Sequence, residues 1–382
     1  MDFGLTPQER KLKDSVKRFC EKHFDPELAL DLDRKETFPR DIYRKAAAHG
    51  FSSLFIPEKY GGRGRGYLSA CLAMIEMCRA DSSLGLACMI GTFGSDMLLL
   101  RGTDEQKSRY LPPVCRGDTI SAAAFTEPSH GTDISTVETK AVKQGKNWVI
   151  NGIKTLITNA PIADFFIVLC QTGSKKKPRR SQSLFIIDKE TKGLVIRKLS
   201  NKMGIRCVTT GEVSFNDVKI EKKNILGEQG NGFSHSMDFF TISRTAIAAQ
   251  AVGTAQGALE IALKYARKRE SGGQPIIRFQ QIGAKLAQVA SEIESARLLT
   301  YKAAWAIDQN NIDPMLTSMA KLYASKVAVM ATDAAIQTLG GYGYLADYKV
   351  ERAYRDAKVT EIYEGTSEIQ RLTILKQLIK SS

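Results

Sequence analysis

No C-x-x-C pair occurs among the seven cysteines, Cys20, Cys71, Cys78, Cys88, Cys115, Cys170 and Cys207. An odd, scattered count argues against a disulfide framework and reads as reduced thiols in an intracellular protein. Cys170 follows the apolar run FFIVL and is expected to be a buried small apolar group. Histidine is scarce. His23, His49, His130 and His235 stand at no metal-ligand spacing, so no metal site is expected. No apolar run is expected to approach a membrane span, and MDFGLTPQER leads into helical periodicity without a signal peptide. These absences favour a bacterial cytoplasmic protein, with a mature organellar matrix form as the alternative. A dinucleotide fingerprint is also missing. PEKYGGRGRG is glycine-rich but has neither the spacing nor a preceding strand.

The chain has 382 residues, enough for two or three packed units, and its 43% hydrophobic and 25% charged residues are ordinary for a globular protein. A net charge of +14 fits nucleic acid, a membrane surface or an anionic small substrate. Its sharpest basic cluster, KKKPRR at 175–180, lies between two strand-like runs and reads as an exposed hairpin tip. It carries none of the interleaved aromatics that stack on nucleic-acid bases.

Periodicity divides the chain in three. Residues 1–118 read as helices, with Leu12, Val16 and Phe19 on one face of the first and a break near ADSS in a long apolar stretch. Residues 119–230 change to a period of two. The strands expected there are TISAAAFTEP, NWVINGIKTLITN, DFFIVLCQT, QSLFIID, GLVIRKL and GEVSFNDVKI, an antiparallel sandwich or barrel with a tight hairpin at Asn151-Gly152. Residues 231–382 return to helix. An Ala- and Gly-rich segment and the series Ile282, Leu286, Val289, Ile293 and Ala296 suggest a bundle of long antiparallel helices. The fold class expected is therefore α+β and multidomain, a small β domain between two α domains.

Near the C-terminus, IYEGTSEIQR poses a question. Ser367 and Gln370 fit a capping box opening a last helix, on which Ile369, Leu372, Leu375 and Ile379 recur at helical spacing. Glu364 has no part in that box, and its plainest reading is a solvated loop carboxylate. Two further segments belong with it: AFTEPSHGTD (124–133) and INGIKTLITNA (150–160). With QTLGGYGYLADYKVERAYRDAKVTEIYEGTSEIQR (337–371), they make the whole chain resemble the acyl-CoA dehydrogenase family. That last segment is the most specific of the three.

The resemblance implies FAD, an acyl-CoA substrate oxidised to its 2,3-enoyl form, and an electron-transfer flavoprotein as acceptor. It implies Glu364 as the base that removes the α-proton while the β-hydrogen leaves as hydride to flavin N5. Such a base needs a raised pKa, which burial supplies, and fixed donors for the developing enolate. In the family, the Glu364 N–H would be one of those donors. Gly365 would allow the close approach, Thr132 would lie on the CoA side, and Arg244 would orient the CoA arm. Phe125, Thr126, Leu156 and Thr158 match positions along the flavin ring. Arg269, Gln280, Gln337 and Gly341 match contacts to the pyrophosphate and adenosine portion across a subunit boundary, with Thr366 and Glu368 as further FAD contacts. A homo-oligomer follows, at least a dimer and commonly a tetramer.

The chain departs from the family's pattern in places. Leu156 and Gly272 stand where aromatics are usual, and Thr241 where an acid often holds CoA. Ser243 occupies a position that carries the base in some members; serine cannot serve. Ser129, His130 and Asp133 lie too close in one turn for a hydrolase triad. A DNA-associated relative of weak dehydrogenase activity, and a family flavoenzyme acting on a non-thioester substrate, are the competing readings.

Overall fold

The computed structural model describes residues 4–174 and 178–381. Its first part is helical: α1 (Pro7–His23), α2 (Pro26–Lys35), α3 (Arg40–Ala48), α4 (Gly66–Ala80), α5 (Ser82–Met89), α6 (Ser95–Arg101) and α7 (Asp104–Arg116). Thr6 and Glu9 close a reciprocal capping box on α1, which buries Leu12, Val16 and Phe19. The break at ADSS is a cap. The Asp81 carboxylate accepts from the Leu84 N–H at 3.1 Å, ending α4 and starting α5. One expectation is corrected here. Ser82–Arg101 is long and apolar enough to cross a membrane, with a mean hydropathy of 1.5. It is folded into α5, a 3-10 turn and α6, and 78% of it is buried inside the protein.

The middle part is a sheet of β1 (Ser121–Ala124), β2 (Lys140–Gln144), β3 (Asn147–Thr158), β4 (Phe165–Gln171), β5 (Gln182–Asp188), β6 (Leu194–Leu199), β7 (Thr210–Glu221) and β8 (Ile225–Leu226). The path runs β6-β7-β3-β2-β4-β5-β8, with β1 paired to β4. The six expected strands are all present. The sheet is mixed, however: β1 and β2 each pair parallel with β4, while the other pairings are antiparallel. Parallel partners need a long connection, here the segment from 125 to 164, which carries β2 and β3 with it.

Every residue of β4 except its last neighbours the core on one face or the other. Phe165, Ile167 and Leu169 pack against α6 and α7, whereas Phe166, Val168 and Cys170 meet Trp148, Ile150, Val213 and Phe215 of β3 and β7. A strand buried on both faces reads as the continuous apolar run seen in the sequence. All seven cysteines are buried and unpaired.

Asn151-Gly152 is not a hairpin turn. The β2–β3 turn lies at Gly145, while 151–152 forms a bulge inside β3, where the register against β7 shifts. Asn151 bonds both the backbone and the side chain of Asp217 across that bulge. Gly152 is required because a Cβ there would lie 2.5 Å from Thr139 Oγ1. Of the basic cluster at 175–180, the three lysines lie outside the described residues; the Arg179 guanidinium stacks over the Phe233 ring at 5.4 Å.

The last part is a bundle: α8 (Gly232–Lys268), a two-stranded ribbon of β9 (Glu270–Ser271) and β10 (Gln274–Pro275), α9 (Gln280–Asp308), α10 (Pro314–Leu339), α11 (Val350–Lys358) and α12 (Ser367–Ser381). The glycines of α8 allow close packing on α4, since Cβ atoms at Gly253 and Gly257 would lie 2.4 and 2.3 Å from the carbonyl oxygens of Ile75 and Arg79. Leu286, Val289, Ile293 and Ala296 of α9 are buried as their spacing predicts. Gly152→Ala should destabilise the protein by about 1–3 kcal/mol. Equilibrium urea unfolding, compared with an exposed control such as Gly131→Ala, where φ is not positive and nothing lies within 4 Å of an added Cβ, checks this.

Candidate active site

Glu364 sits in the short loop between α11 and α12, and both it and Gly365 have positive φ, 54° and 88°. A glutamate in the left-handed region is uncommon and must be held there by its surroundings. The holding groups come from three helices. Lys321 of α10 is fully buried and donates to the Gly365 carbonyl at 2.7 Å. The Gln370 amide of α12 donates to the carbonyls of Glu364 at 3.1 Å and Gly365 at 2.8 Å. Ser243 of α8 donates through its hydroxyl to Glu364 Oε2. Beside them, the Tyr363 hydroxyl bonds Gln250 of α8.

This corrects the capping box expected at Ser367 and Gln370. Helix α12 already includes Ser367, and its cap is Thr366, whose hydroxyl accepts from the Ile369 N–H at 3.4 Å. Gln370 then stands one turn in, on the face turned back to the loop, and its amide serves the loop carbonyls instead.

Burial pushes the Glu364 carboxyl up to about 7. The Ser243 hydrogen bond, Arg244 and Lys321 pull it down, and Asp96 of α6 adds a raising influence. Lys321 is pushed down to about 8, by burial first, with Glu364 opposing. Arg244 is buried and donates to Ser318 Oγ at 3.1 Å, while its Nε has no partner among the described residues. The result is a half-buried carboxylate able to take a proton near neutral pH, flanked by two cations that limit the cost of its charge. Among the described residues, no group accepts from the Glu364 N–H.

The β-domain candidates gather at the end of β3. Thr155 N–H donates to the Thr126 carbonyl at 2.9 Å. Leu156 has φ 57° at a second register shift, and its side chain is 65% exposed. Thr158 is half-buried and pairs with Thr210. Phe125 is buried, its ring against Phe239 at 5.8 Å and Phe240 at 4.9 Å. Thr132 lies exposed in the following loop. There His130 Nδ1 pairs with Thr136 at 3.1 Å and Asp133 accepts from the Ser135 N–H, so the Ser129, His130 and Asp133 grouping forms no triad.

Beneath this segment lies an ion pair that the motif reading passed over. Lys154 Nζ, fully buried, donates to the Phe125 carbonyl at 2.9 Å and to Glu127 Oε1 at 2.8 Å. Glu127 also accepts from the N–H groups of Glu138 and Thr139. One pair thus ties the strand end of β1, the approach to β2 and the middle of β3 together. The signal available for Lys154 and Lys321 was a charged residue at a core position of a periodic segment.

A third group stands elsewhere. Arg269, Gln337 and Gly341 line one cavity of about 470 Å³ with Tyr265 and Tyr342. Gln280, at the start of α9, is exposed and outside that lining. Gly272 and Gly273 form the β9–β10 turn with φ 57° and 77°, a geometry an aromatic side chain would strain. Along α8, Ser243 and Arg269 are roughly 39 Å apart at 1.5 Å per residue. Thr366 is half-buried beside Glu364, and Glu368 is exposed on α12, paired with Arg371 at 3.3 Å.

Removing one partner of the Glu127–Lys154 pair, in Lys154→Met or Glu127→Gln, should cost about 3–5 kcal/mol, and the double variant less than the sum. Denaturant titration of the three variants reads both quantities.

Three sequence profiles match the chain: the acyl-CoA dehydrogenase N-terminal domain over residues 6–118, the middle domain over 122–218 and the C-terminal domain over 230–379. The short-chain specific acyl-CoA dehydrogenase of Clostridium acetobutylicum is 38% identical, with all of both chains covered. The caffeyl-CoA reductase-Etf complex subunit CarC of Acetobacterium woodii is also 38% identical, over 98% of this chain and 99% of that one. Among solved structures, butyryl-CoA dehydrogenase of Megasphaera elsdenii superposes with a TM-score of 0.95 at 36% identity, covering 99% of this chain and 100% of that one.

Proposed function

The chain belongs to the acyl-CoA dehydrogenase family of oxidoreductases, and from that premise we propose that it is an FAD-dependent enzyme that interconverts a saturated acyl-CoA and its 2,3-enoyl form, with Glu364 as the base. The observation that carries the reading is the Glu364 carboxyl itself. It is raised to about 7 by burial and aimed from a left-handed backbone held by α8, α10 and α12. A loop carboxylate with no chemical role would relax into solvent.

The donor set fits a flavin dinucleotide. The exposed Leu156, with Thr126 and Thr158, would hold the ring, Thr366 and Glu368 lying beside the base. Arg269, Gln337 and Gly341 would take the pyrophosphate side, where a planar guanidinium stays charged and forks onto phosphate oxygens. Ser243, which bonds Glu364, and Arg269 stand roughly 39 Å apart along α8, too far for one dinucleotide within one chain, which supports a site completed by a second copy. The exposed Leu372 and Leu375 of α12 favour such a homo-oligomer, a tetramer by family habit. When bound, FAD supplies the two-electron acceptor for the β-hydride.

The chain's own residues do the rest. Glu364 takes the α-proton, and Ser243 orients its carboxylate. The Glu364 N–H donates to the thioester oxygen as charge develops there. Arg244 and Lys321 keep the charged carboxylate affordable in a site that excludes water. Thr132 and Arg244 would meet the CoA arm. Electrons would pass on to an electron-transfer flavoprotein, a partner supported by the naming of the Acetobacterium relative.

Glu364→Gln should retain flavin and thioester binding but lose at least roughly a hundredfold in anaerobic flavin bleaching by a suitable acyl-CoA. Near wild-type bleaching would remove Glu364 from the mechanism. The pH dependence follows by sign. The base works deprotonated, so the rate should climb as pH rises through about 7. Lys321→Met removes a positive neighbour that favours the carboxylate, so its rate limb should move to higher pH. Stopped-flow reduction across pH reads the shift, and an unmoved limb with a lower plateau would make Lys321 purely structural.

A further inference from the structure

Ser243 and Gln250 stand seven residues apart on α8, so they share one face of the helix, two turns and roughly 10 Å along its axis. The loop that carries Glu364 lies against that face. Ser243 donates to the Glu364 carboxylate, and Gln250 Oε1 accepts from the Tyr363 hydroxyl. Two consecutive loop residues are thus tied to one helix by their side chains, and the peptide bond between them carries the Glu364 N–H. The other ties act on neighbouring peptides. Tyr363 N–H donates to the Val359 carbonyl at 3.1 Å, which fixes the peptide before. Gln370 takes the carbonyls of Glu364 and Gly365, and Lys321 takes that of Gly365, which fixes the peptides after. Gln250 itself is fully buried, and its Nε2 has no hydrogen-bond partner among the described residues. A buried donor left unpaired costs stability, and a leucine of similar size would avoid that cost. What the position uses is the acceptor. Burial pushes the Tyr363 hydroxyl well above its ordinary range, so it stays protonated and donates.

We propose that Gln250 is a positioning residue: through Tyr363 it holds Glu364 at its positive φ and so aims the Glu364 N–H at the thioester oxygen. This rests on Glu364 being the site of thioester chemistry. On α8, Ser243 then sets the carboxylate that takes the proton, and Gln250 sets the N–H that meets the charge developing on oxygen.

The reason lies in the backbone. A peptide is planar, so the φ of Glu364 decides where the Tyr363 carbonyl carbon lies and, opposite to it, where the N–H points. That φ is 54°, a region that a glutamate leaves unless its surroundings prevent it. With Glu364 held by Ser243 and Gln370, relaxation toward negative φ has to swing Tyr363 away from its place. The bond from the Tyr363 hydroxyl to Gln250 opposes that swing. A donor aimed at developing charge acts mostly in the transition state, so losing its aim falls on the chemical step and little on binding. The carboxylate keeps Ser243, Arg244 and Lys321 around it whatever happens at Gln250, so its own proton affinity stays as it is.

The test uses the FAD-loaded enzyme, anaerobic stopped-flow reduction of the flavin, and the straight-chain acyl-CoA, short to medium in length, that bleaches the native protein fastest. The variants are Gln250→Leu, Tyr363→Phe and the two together. Each single variant should lower the limiting rate by at least about tenfold, with thioester affinity and flavin content little changed and the pH limb still near about 7. The double variant should be as slow as either single one, because the two residues act as a unit. It should also fold best of the three, since it leaves neither a buried hydroxyl nor a buried amide unpaired, and its melting temperature separates lost positioning from lost stability. A native rate in the double variant would overturn the proposal, as would rate losses that multiply between the two sites. A pH limb that moves, or thioester affinity that falls with the rate, would make the pair general scaffolding of the loop and overturn it too. Each of those results leaves the dehydrogenase reading intact. Failure of every thioester to reduce the native flavin would bring down that reading and this one with it.

Discussion

A carboxylate that takes a proton from carbon must be short of water, yet it must stay ionised and in place. In the role proposed for Glu364, three helices of the C-terminal half meet those demands, through Ser243, Lys321 and Gln370. Desolvation raises its proton affinity, and the cations of Arg244 and Lys321 keep the charged form within reach. Position is supplied by the backbone. Two consecutive left-handed residues would not persist in a free loop, and here Lys321 and Gln370 hold the two carbonyls that define their conformation. The same lysine thus acts through both its charge and its hydrogen bond. That explains a fully buried lysine in an alanine-rich helix, where burial alone would be costly.

The β domain meets a parallel problem with the same device. Its exposed segment around Leu156 is irregular, with a positive φ and a shifted register, and an irregular strand end is easily displaced. The buried Lys154 anchors it from below by bonding both the Phe125 carbonyl and Glu127. In both places a buried lysine fixes a loop from behind, so the open face carries no clamp of its own. The long helix α8 relates the two ends of the molecule. It presents Ser243 and Arg244 to the Glu364 loop and ends near the cavity of Arg269, Gln337 and Gly341.

Much of this was legible from residues alone, because the strongest signals are local. The switch of hydrophobic period marked out the helical, sheet and helical parts, and the six strands fell where alternation or a continuous apolar run put them. Of the four residues that the resemblance grouped for one end of the dinucleotide, Arg269, Gln337 and Gly341 line a single cavity and Gln280 lies outside it. Other features depend on distant partners and left little trace. Parallel pairing of β1 with β4 joins segments more than a hairpin apart. Gly152 resembles a turn glycine because Asn-Gly usually is one, but the demand on it comes from Thr139 across the sheet. Ser367 resembles a cap because the pattern fits, and Thr366 takes the role one residue earlier. Lys154 and Lys321 become intelligible only when the groups they face are known.

The central claim is that Glu364 removes the α-proton. The most direct measurement is exchange of the α-hydrogens of a bound acyl-CoA with deuterated water, followed by NMR under anaerobic conditions. Comparing the native enzyme with Glu364→Gln isolates proton transfer from every later step. The account predicts that the native protein catalyses exchange at the α-carbon with a rate that rises through pH of about 7, and that Glu364→Gln abolishes it while still binding the thioester. Exchange that persists in the variant would place the base on another residue and contradict the account.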